Sequence, residues 1–144
     1  MSERINKRLR RIVTERAKGC CEYCRSQELF ATEAFSVEHI TPLQAGGLTA
    51  LNNLALACQG CNGHKYAKTT GYDLVTQQEA PLYHPRQHRW LDHFVWNEDF
   101  TMLVGITPIG RATIEQLHLN RPGVMNLRRL LRSVEKHPPA PVEL

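Results

Sequence analysis

Two Cys-x-x-Cys pairs, Cys21 with Cys24 and Cys58 with Cys61, constrain the fold more than any other feature of this sequence. A Cys-x-x-Cys turn places both sulfurs on one side of the backbone, so two such turns supply the four thiolates of a tetrahedral Zn²⁺ site. A disulfide frame and a thioredoxin-type redox pair are the alternatives. The N-terminus has no secretory signal pattern, and no βαβ pattern surrounds either pair, so the sequence favours zinc.

A site made of four cysteines is closed to water and substrate, so we expect this zinc to stabilise the fold rather than take part in a reaction. Cys20 is a fifth cysteine and an alternative to Cys21, but only Cys21 reproduces the spacing of the second pair. Any chemistry must therefore come from other residues.

The composition predicts one compact domain without a membrane span. The chain has 144 residues, of which 42% are hydrophobic, and no apolar run approaches the roughly 18 residues that a membrane helix requires. Unpaired metal-binding cysteines favour a reducing compartment, so we expect a cytoplasmic location. Within a single domain over 1–144 we expect an N-terminal helix over 2–18, a core motif over 20–68 and a C-terminal extension over 69–144.

The first half of the chain predicts alternating helix and strand. Apolar spacing indicates a helix over 2–18, with Ser2 as its N-cap. The stretch "AFSVEHI" at 34–40 alternates like a strand. Residues 52–57 resemble a short helix or turn, and a second short helix is expected over 61–68.

The second half predicts strands and then two helices. Residues 69–88 show little regular pattern, and the aromatic-rich stretch 88–106 predicts strands over the core. Thr107 followed by Pro108 is typical of a helix start, and 123–137 predicts a last helix. The mixture of elements predicts an α+β fold.

Basic residues concentrate at the two ends of the chain, although the formal net charge is only +4. The N-terminal group is Arg4, Lys7, Arg8, Arg10, Arg11, Arg16 and Lys18, and the C-terminal group is Arg121, Arg128, Arg129, Arg132 and Lys136. Two basic ends predict a nucleic-acid partner, with Arg8, Arg11, Arg128 and Arg132 as candidate contacts. Solvated helix faces are the alternative interpretation.

Four polar residues lie between or beside the cysteine pairs: Glu38, His39, Asn53 and Asn62. Carboxylate and amide oxygens are hard ligands that suit Mg²⁺ or Mn²⁺. A histidine outside the metal shell suits a general base near neutral pH. Each signal is weak alone, and the combination predicts a metal-dependent site.

The order "CEYC", "VEHITPLQAGG" and "NNLALACQGCNGHK" resembles the HNH endonuclease family of His-Me finger nucleases. The resemblance covers Cys21 to Lys65 and implies a ββα-metal core, treble-clef-like, held by the four-cysteine zinc site and flanked by the basic helices. It also implies phosphodiester hydrolysis with 5′-phosphate and 3′-hydroxyl products.

The resemblance assigns a role to each motif position. His39 corresponds to the general base, and Glu38 and Asn62 to the ligands of one Mg²⁺ or Mn²⁺ ion. Asn53 corresponds to the residue that braces the loop and the histidine strand. Lys65 is a candidate contact for a neighbouring phosphate, and a solvated helix residue is the alternative interpretation. Two departures are Glu38, where Asp is commoner, and Asn62, where many members have His.

Three functions remain open at this stage. The first is an endonuclease that nicks or cuts DNA, most readily double-stranded DNA. The second is a zinc-stapled module that binds nucleic acid without cutting, and the third is a nuclease that acts only in a larger defence or mobile-element complex. A single site cuts one strand at a time, so a homodimer is a further expectation for double-strand cleavage.

Overall fold

The computed structural model describes residues 5–141 and contains within that range four α-helices and six short strands. In chain order they are α1 (Lys7–Arg16), β1 (Ser36–His39), β2 (Leu54–Ala57), α2 (Gln59–Lys65), β3 (Thr70–Asp73), β4 (Gln78–Pro81), β5 (Phe94–Trp96), β6 (Leu103–Gly105), α3 (Pro108–Leu117) and α4 (Pro122–Ser133). The strands pair as three antiparallel hairpins, β1 with β2, β3 with β4 and β5 with β6. The predicted α+β fold class is confirmed.

The hairpin β1–β2 and the helix α2 form the expected ββα unit. Glu38 pairs in register with Ala55, and His39 pairs with Leu54. All four residues of β2 are buried, and α1 packs against this strand through Val13, which is fully buried. Arg16 extends the contact, since its guanidinium donates to the carbonyl of Leu54 at 2.6 Å.

Helix α1 begins later than the sequence pattern predicts. Asn6 is its N-cap, and the Asn6 side chain accepts a hydrogen bond from the Leu9 backbone at 2.8 Å. The predicted cap, Ser2, lies outside the described residues. At the other end Gly19 adopts φ +70°, a conformation that glycine takes without strain.

Two local predictions were wrong in part. The helix or turn predicted over 52–57 is present only up to Asn53, in a 3₁₀ helix over Leu51–Asn53. Residues 54–57 form β2, because pairing with β1 satisfies their backbone hydrogen bonds. Residues 69–88, expected to be irregular, contain the β3–β4 hairpin. Asp73 organises its turn, since its carboxylate accepts hydrogen bonds from Val75 and Thr76, and this short-range signal was missed.

The predictions for residues 88–137 are mostly confirmed. The aromatic-rich stretch forms β5 and β6. Thr107 caps α3 by accepting a hydrogen bond from Gly110 at 3.0 Å, and Pro108 occupies the first helical position. The last helix, α4, begins at Pro122.

The loop between β1 and β2 closes tightly beside the end of β1. The Asn53 side chain accepts from the Thr41 backbone at 2.8 Å and donates to the carbonyls of Thr41 at 3.0 Å and Leu48 at 2.8 Å. Gly46 adopts φ +92°, and a Cβ on Gly47 would lie 1.8 Å from the Thr41 carbonyl oxygen. Gly46 is therefore required for its left-handed backbone conformation, and Gly47 is required because no side chain fits at its position.

Arg128 joins α4 to the rest of the molecule. It is only 3% exposed, and it donates to the carbonyls of Thr101 at 2.9 Å, Leu119 at 2.8 Å and Cys24 at 3.3 Å. The prediction that Arg128 contacts nucleic acid is wrong, because the side chain is committed to backbone acceptors in the interior.

Gly47→Ala should destabilise the protein, because the added methyl group collides with backbone that Asn53 holds in place. We expect the free energy of unfolding to fall by roughly 2–4 kcal/mol. Gly63→Ala is the matched control, since Gly63 lies in α2 with open space around its Cβ position, and it should be neutral or stabilising by up to about 1 kcal/mol. Denaturant titration of the zinc-loaded proteins measures both, and equal stability of Gly47→Ala and wild type would contradict the packing of this loop.

Candidate functional site

The four predicted zinc ligands come together in the structure. The sulfurs of Cys21, Cys24, Cys58 and Cys61 all lie within 4.8 Å of one another, and all four residues are buried. Four Zn–S bonds of about 2.3 Å in a tetrahedron would separate the sulfurs by about 3.8 Å, and the Cys24 and Cys58 sulfurs are 3.6 Å apart. The cluster therefore fits a structural Zn²⁺ site, whereas the Cys20 sulfur points to the Lys18 carbonyl, 3.7 Å away.

Local backbone geometry presents the sulfurs to one another. In the first turn the Arg25 backbone donates to the Cys21 carbonyl at 3.0 Å, and Arg25 takes the left-handed conformation with φ +67°. In the second turn Cys58 is the N-cap of α2, and its sulfur accepts from the Cys61 backbone at 3.4 Å. The first turn is therefore closed by a backbone–backbone hydrogen bond, and the second places a backbone donor beside a cysteine sulfur.

Arg121, which sequence reasoning did not assign to this cluster, covers it from the C-terminal extension. Its guanidinium nitrogens lie 3.3 Å from the Cys58 sulfur and 3.7 Å from the Cys61 sulfur. Burial lowers the pKa of Arg121, but the negative charge of Cys61 and Cys24 outweighs it and raises that pKa above the ordinary value. Four thiolates carry two more negative charges than one Zn²⁺ neutralises, and the positive charge of Arg121 offsets part of this excess.

A second feature is a cleft between the end of β1 and α2. Its volume is about 630 Å³, and Glu38, His39 and Asn62 all line it. Asn53 lies behind the cleft wall, where it holds the loop between β1 and β2. The structure thus brings three of the four predicted polar residues to one surface and gives the fourth a bracing position.

Glu38 is held by a buried network. It is 7% exposed; the Tyr23 hydroxyl donates to one carboxylate oxygen, and the Lys65 ammonium lies 3.0 Å from the other. Burial raises the pKa of Glu38, and the charge of Lys65 and the Tyr23 hydrogen bond oppose that shift.

The predicted phosphate contact of Lys65 is wrong for this structure. Lys65 is 1% exposed, and besides Glu38 its ammonium donates to the Ile40 carbonyl at 2.8 Å. No sequence pattern indicates this burial, because a lysine near the end of a short helix is usually solvated. Its role here is to compensate the buried carboxylate.

His39 is half-buried, and its Nε2 lies 2.8 Å from the Thr49 hydroxyl. Thr49 follows Leu48, whose carbonyl accepts from Asn53, so Asn53 positions the loop that orients the histidine ring. Sequence reasoning missed Thr49, which carries no motif signal, and Tyr23, whose place inside the first Cys-x-x-Cys turn was the available clue.

The cleft residues fit a hard divalent cation. A carboxylate has about four lone-pair positions, so Glu38 can accept from Tyr23 and Lys65 and still offer an oxygen to a metal. Asn62, in the first turn of α2, adds an amide oxygen on the same cleft. Mg²⁺ keeps several waters and requires few protein ligands, while the charge of Lys65 weakens the attraction for any cation.

A comparison with protein-family models agrees with this geometry. Residues 21–68 match the HNH endonuclease family. This HNH segment contains both cysteine pairs, the hairpin β1–β2 and α2, and it covers about one third of the chain. Searches of the curated proteins and of the solved structures found no match.

The described part of the chain leaves three of the predicted nucleic-acid contacts at the surface. Arg8 and Arg11 are exposed on α1. Arg132 is exposed on α4, with its guanidinium carbon 4.7 Å from the centroid of the Phe100 ring. No helix within residues 5–141 has the length and apolar character needed to cross a membrane.

The cysteine assignment predicts which thiol can be removed. We expect one zinc per wild-type chain, loss of that zinc in Cys24→Ser, and full zinc retention in Cys20→Ser, because the Cys20 sulfur lies outside the cluster. Native mass spectrometry of both variants measures the stoichiometry. If Cys20→Ser lost its zinc and Cys24→Ser kept it, the zinc ligands would include Cys20 and not Cys24.

Proposed function

We propose that the HNH segment hydrolyses phosphodiester bonds in DNA, with His39 as the general base. The observation that carries this proposal is the convergence of Glu38, His39 and Asn62 on one open cleft within a segment that matches the HNH endonuclease family. A base and two hard oxygen donors on one surface are the groups that metal-assisted phosphate hydrolysis requires.

His39 would take the proton from the attacking water. Its Nε2 lies 2.8 Å from the Thr49 hydroxyl, a contact in which either group donates according to the tautomer of the ring. Thr49 thereby holds the ring in place. A histidine base is neutral through most of the physiological pH range, and general-base assistance contributes roughly 10²–10⁴ in rate.

Glu38 and Asn62 would hold one Mg²⁺ or Mn²⁺ ion. When bound, such an ion offsets the negative charge that develops on the phosphate and on the leaving oxygen. Tyr23 and Lys65 keep the Glu38 carboxylate in one orientation, so an oxygen donor is already in place before the ion arrives.

The substrate we propose is double-stranded DNA held through its phosphates. The exposed arginines of α1, Arg8 and Arg11, together with Arg132, supply positive charge without a base-reading element. One cleft cuts one strand, so cleavage of both strands requires a homodimer, a larger complex or two binding events. The reduced thiolates of the zinc site support a cytoplasmic setting.

A specific observation favours a second function, binding without cleavage. Lys65 already compensates Glu38 at 3.0 Å, and a nearby ammonium disfavours a second cation on the same carboxylate. If that repulsion prevails at cellular Mg²⁺ concentrations, the protein acts as a zinc-stapled nucleic-acid-binding module.

His39→Ala separates these functions. We expect the wild-type protein to nick supercoiled plasmid in the presence of Mg²⁺ or Mn²⁺, and we expect EDTA to abolish this activity. His39→Ala should lower the nicking rate about 10²-fold or more. Gel analysis of nicked product over time, on preparations with equal zinc content, gives the rates.

Thr49→Val is a milder variant that tests the support of the His39 ring in the same assay. It removes the hydroxyl but keeps the side-chain shape, so it should retain more activity than His39→Ala. Cleavage that persists at the wild-type rate in His39→Ala would refute the base assignment. Absence of cleavage by wild type, with DNA binding intact, would favour the binding module.

Arg8→Gln combined with Arg11→Gln tests the DNA surface. We expect weaker duplex binding and a slope of log affinity against log salt reduced by up to about two, since each phosphate contact contributes about one counterion. Glu15→Gln on the same helix is the matched control and should bind at least as tightly as wild type. Fluorescence anisotropy across a salt series measures the slopes, and an unchanged slope would place the DNA elsewhere.

A further inference from the structure

A second cavity shares no lining residue with the cleft that contains His39. Its volume is about 450 Å³, and it lies between the end of α1, the first zinc turn and the segment that follows β4. Four cationic side chains line it, and Glu22 is the one carboxylate beside them. The cations are Arg16, Lys18, Arg25 and Arg86.

Two of these arginines hold donors without acceptors. Arg25 is 6% exposed; one terminal nitrogen donates to the Ala140 carbonyl at 3.1 Å, while the other is buried with no hydrogen-bond partner among residues 5–141. The Nε of Arg86 is buried and unpaired in the same part of the chain. Buried polar atoms are nearly always paired, and an unpaired one costs about 1–3 kcal/mol, or more on a charged group.

The single carboxylate is already committed. One oxygen of Glu22 accepts from the Leu56 backbone at 2.8 Å, and the other pairs with Arg86. Glu22 therefore cannot balance the remaining cations. Burial lowers the pKa of Arg86 to about 10, and the positive charge of Arg16 adds to that shift. Arg16, Lys18 and Arg25 have no carboxylate partner among the residues that line the cavity.

We propose that this cavity binds a phosphate group. Arginine guanidinium groups pair with phosphate oxygens through two parallel hydrogen bonds, and a phosphate would supply negative charge to the four cations that line the cavity. Lys18 and Arg16 are exposed at the cavity, so a ligand from solvent meets them first.

The dimensions favour a ligand larger than phosphate alone. Cavities of roughly 300–1,000 Å³ hold small organic ligands, and Tyr83, Pro85 and Leu51 give this one an apolar wall. The phosphate could belong to a free nucleotide, whose base would contact that wall, or to the backbone of a bound nucleic acid. The shared chemistry is the phosphate, and the experiment separates the two sources.

The first arm titrates inorganic phosphate into the zinc-loaded full-length protein by calorimetry at low chloride. We expect one saturable site per chain, weakened at least about tenfold in Lys18→Gln and in Arg25→Gln. Lys136→Gln, an exposed cation outside the cavity, should bind like wild type. Lys18 is itself exposed, so Lys18→Gln keeps the test decisive even if Arg25→Gln fails to fold.

The second arm offers adenosine 5′-monophosphate, adenosine, or a DNA duplex with 5′-hydroxyl ends. Displacement of phosphate by the nucleotide but not by adenosine or the duplex identifies a nucleotide site, and displacement by the duplex identifies a backbone-phosphate site. Binding of the nucleotide alone, if sensitive to Lys18→Gln, also supports the proposal. Absence of any Lys18-sensitive binding of phosphate, nucleotide or duplex overturns it, whatever the outcome for DNA cleavage.

Discussion

The buried cluster of four thiolates is the interaction on which the rest of this structure depends. Burial raises the pKa of Cys21 well above its ordinary value, and hydrogen bonding to the neighbouring cysteines adds to the shift, so Cys21 requires a bound cation to carry a thiolate. Metal binding of this kind contributes directly to folding. The two turns also build the cleft, because the first contains Tyr23, which holds Glu38, and the second starts the helix that carries Asn62 and Lys65.

The Glu38–Lys65 pair sets the balance between structure and reactivity at the cleft. A buried ion pair contributes little net stability compared with apolar residues of similar size, yet removing one partner leaves an uncompensated charge. Burial raises the pKa of Glu38, whereas the charge of Lys65 favours the ionised carboxylate and holds it in place. The same positive charge competes with a divalent ion for that carboxylate. Tyr23 orients the carboxylate without adding charge, and Thr49 provides the corresponding support for His39. The proposed cleavage requires that a metal ion can still bind beside the lysine.

The segment after α2 contributes arginines to the HNH segment rather than forming a separate surface. Arg121 approaches two of the zinc-site sulfurs, Arg128 donates to the Cys24 carbonyl, and Arg86 pairs with Glu22. Several basic side chains of this region therefore make interior contacts, so the positive surface proposed for DNA is smaller than the composition suggests. The phosphate-binding cavity arises where this segment meets the first zinc turn.

The sequence by itself determined the features that depend on local spacing. The spacing of the two Cys-x-x-Cys pairs identifies the four candidate zinc ligands. Thr107 and the proline after it predict the start of a helix, and the order of the polar motif residues predicts the cleft. Tertiary structure decided which charged side chains face inward, because residue type does not say which side of a helix will be covered: Lys65 and Arg128, both expected at the surface, are buried. It also decided the partner of His39, since Thr49 reaches it through a loop held by Asn53. The β3–β4 hairpin, by contrast, carries a local signal in the turn at Asp73.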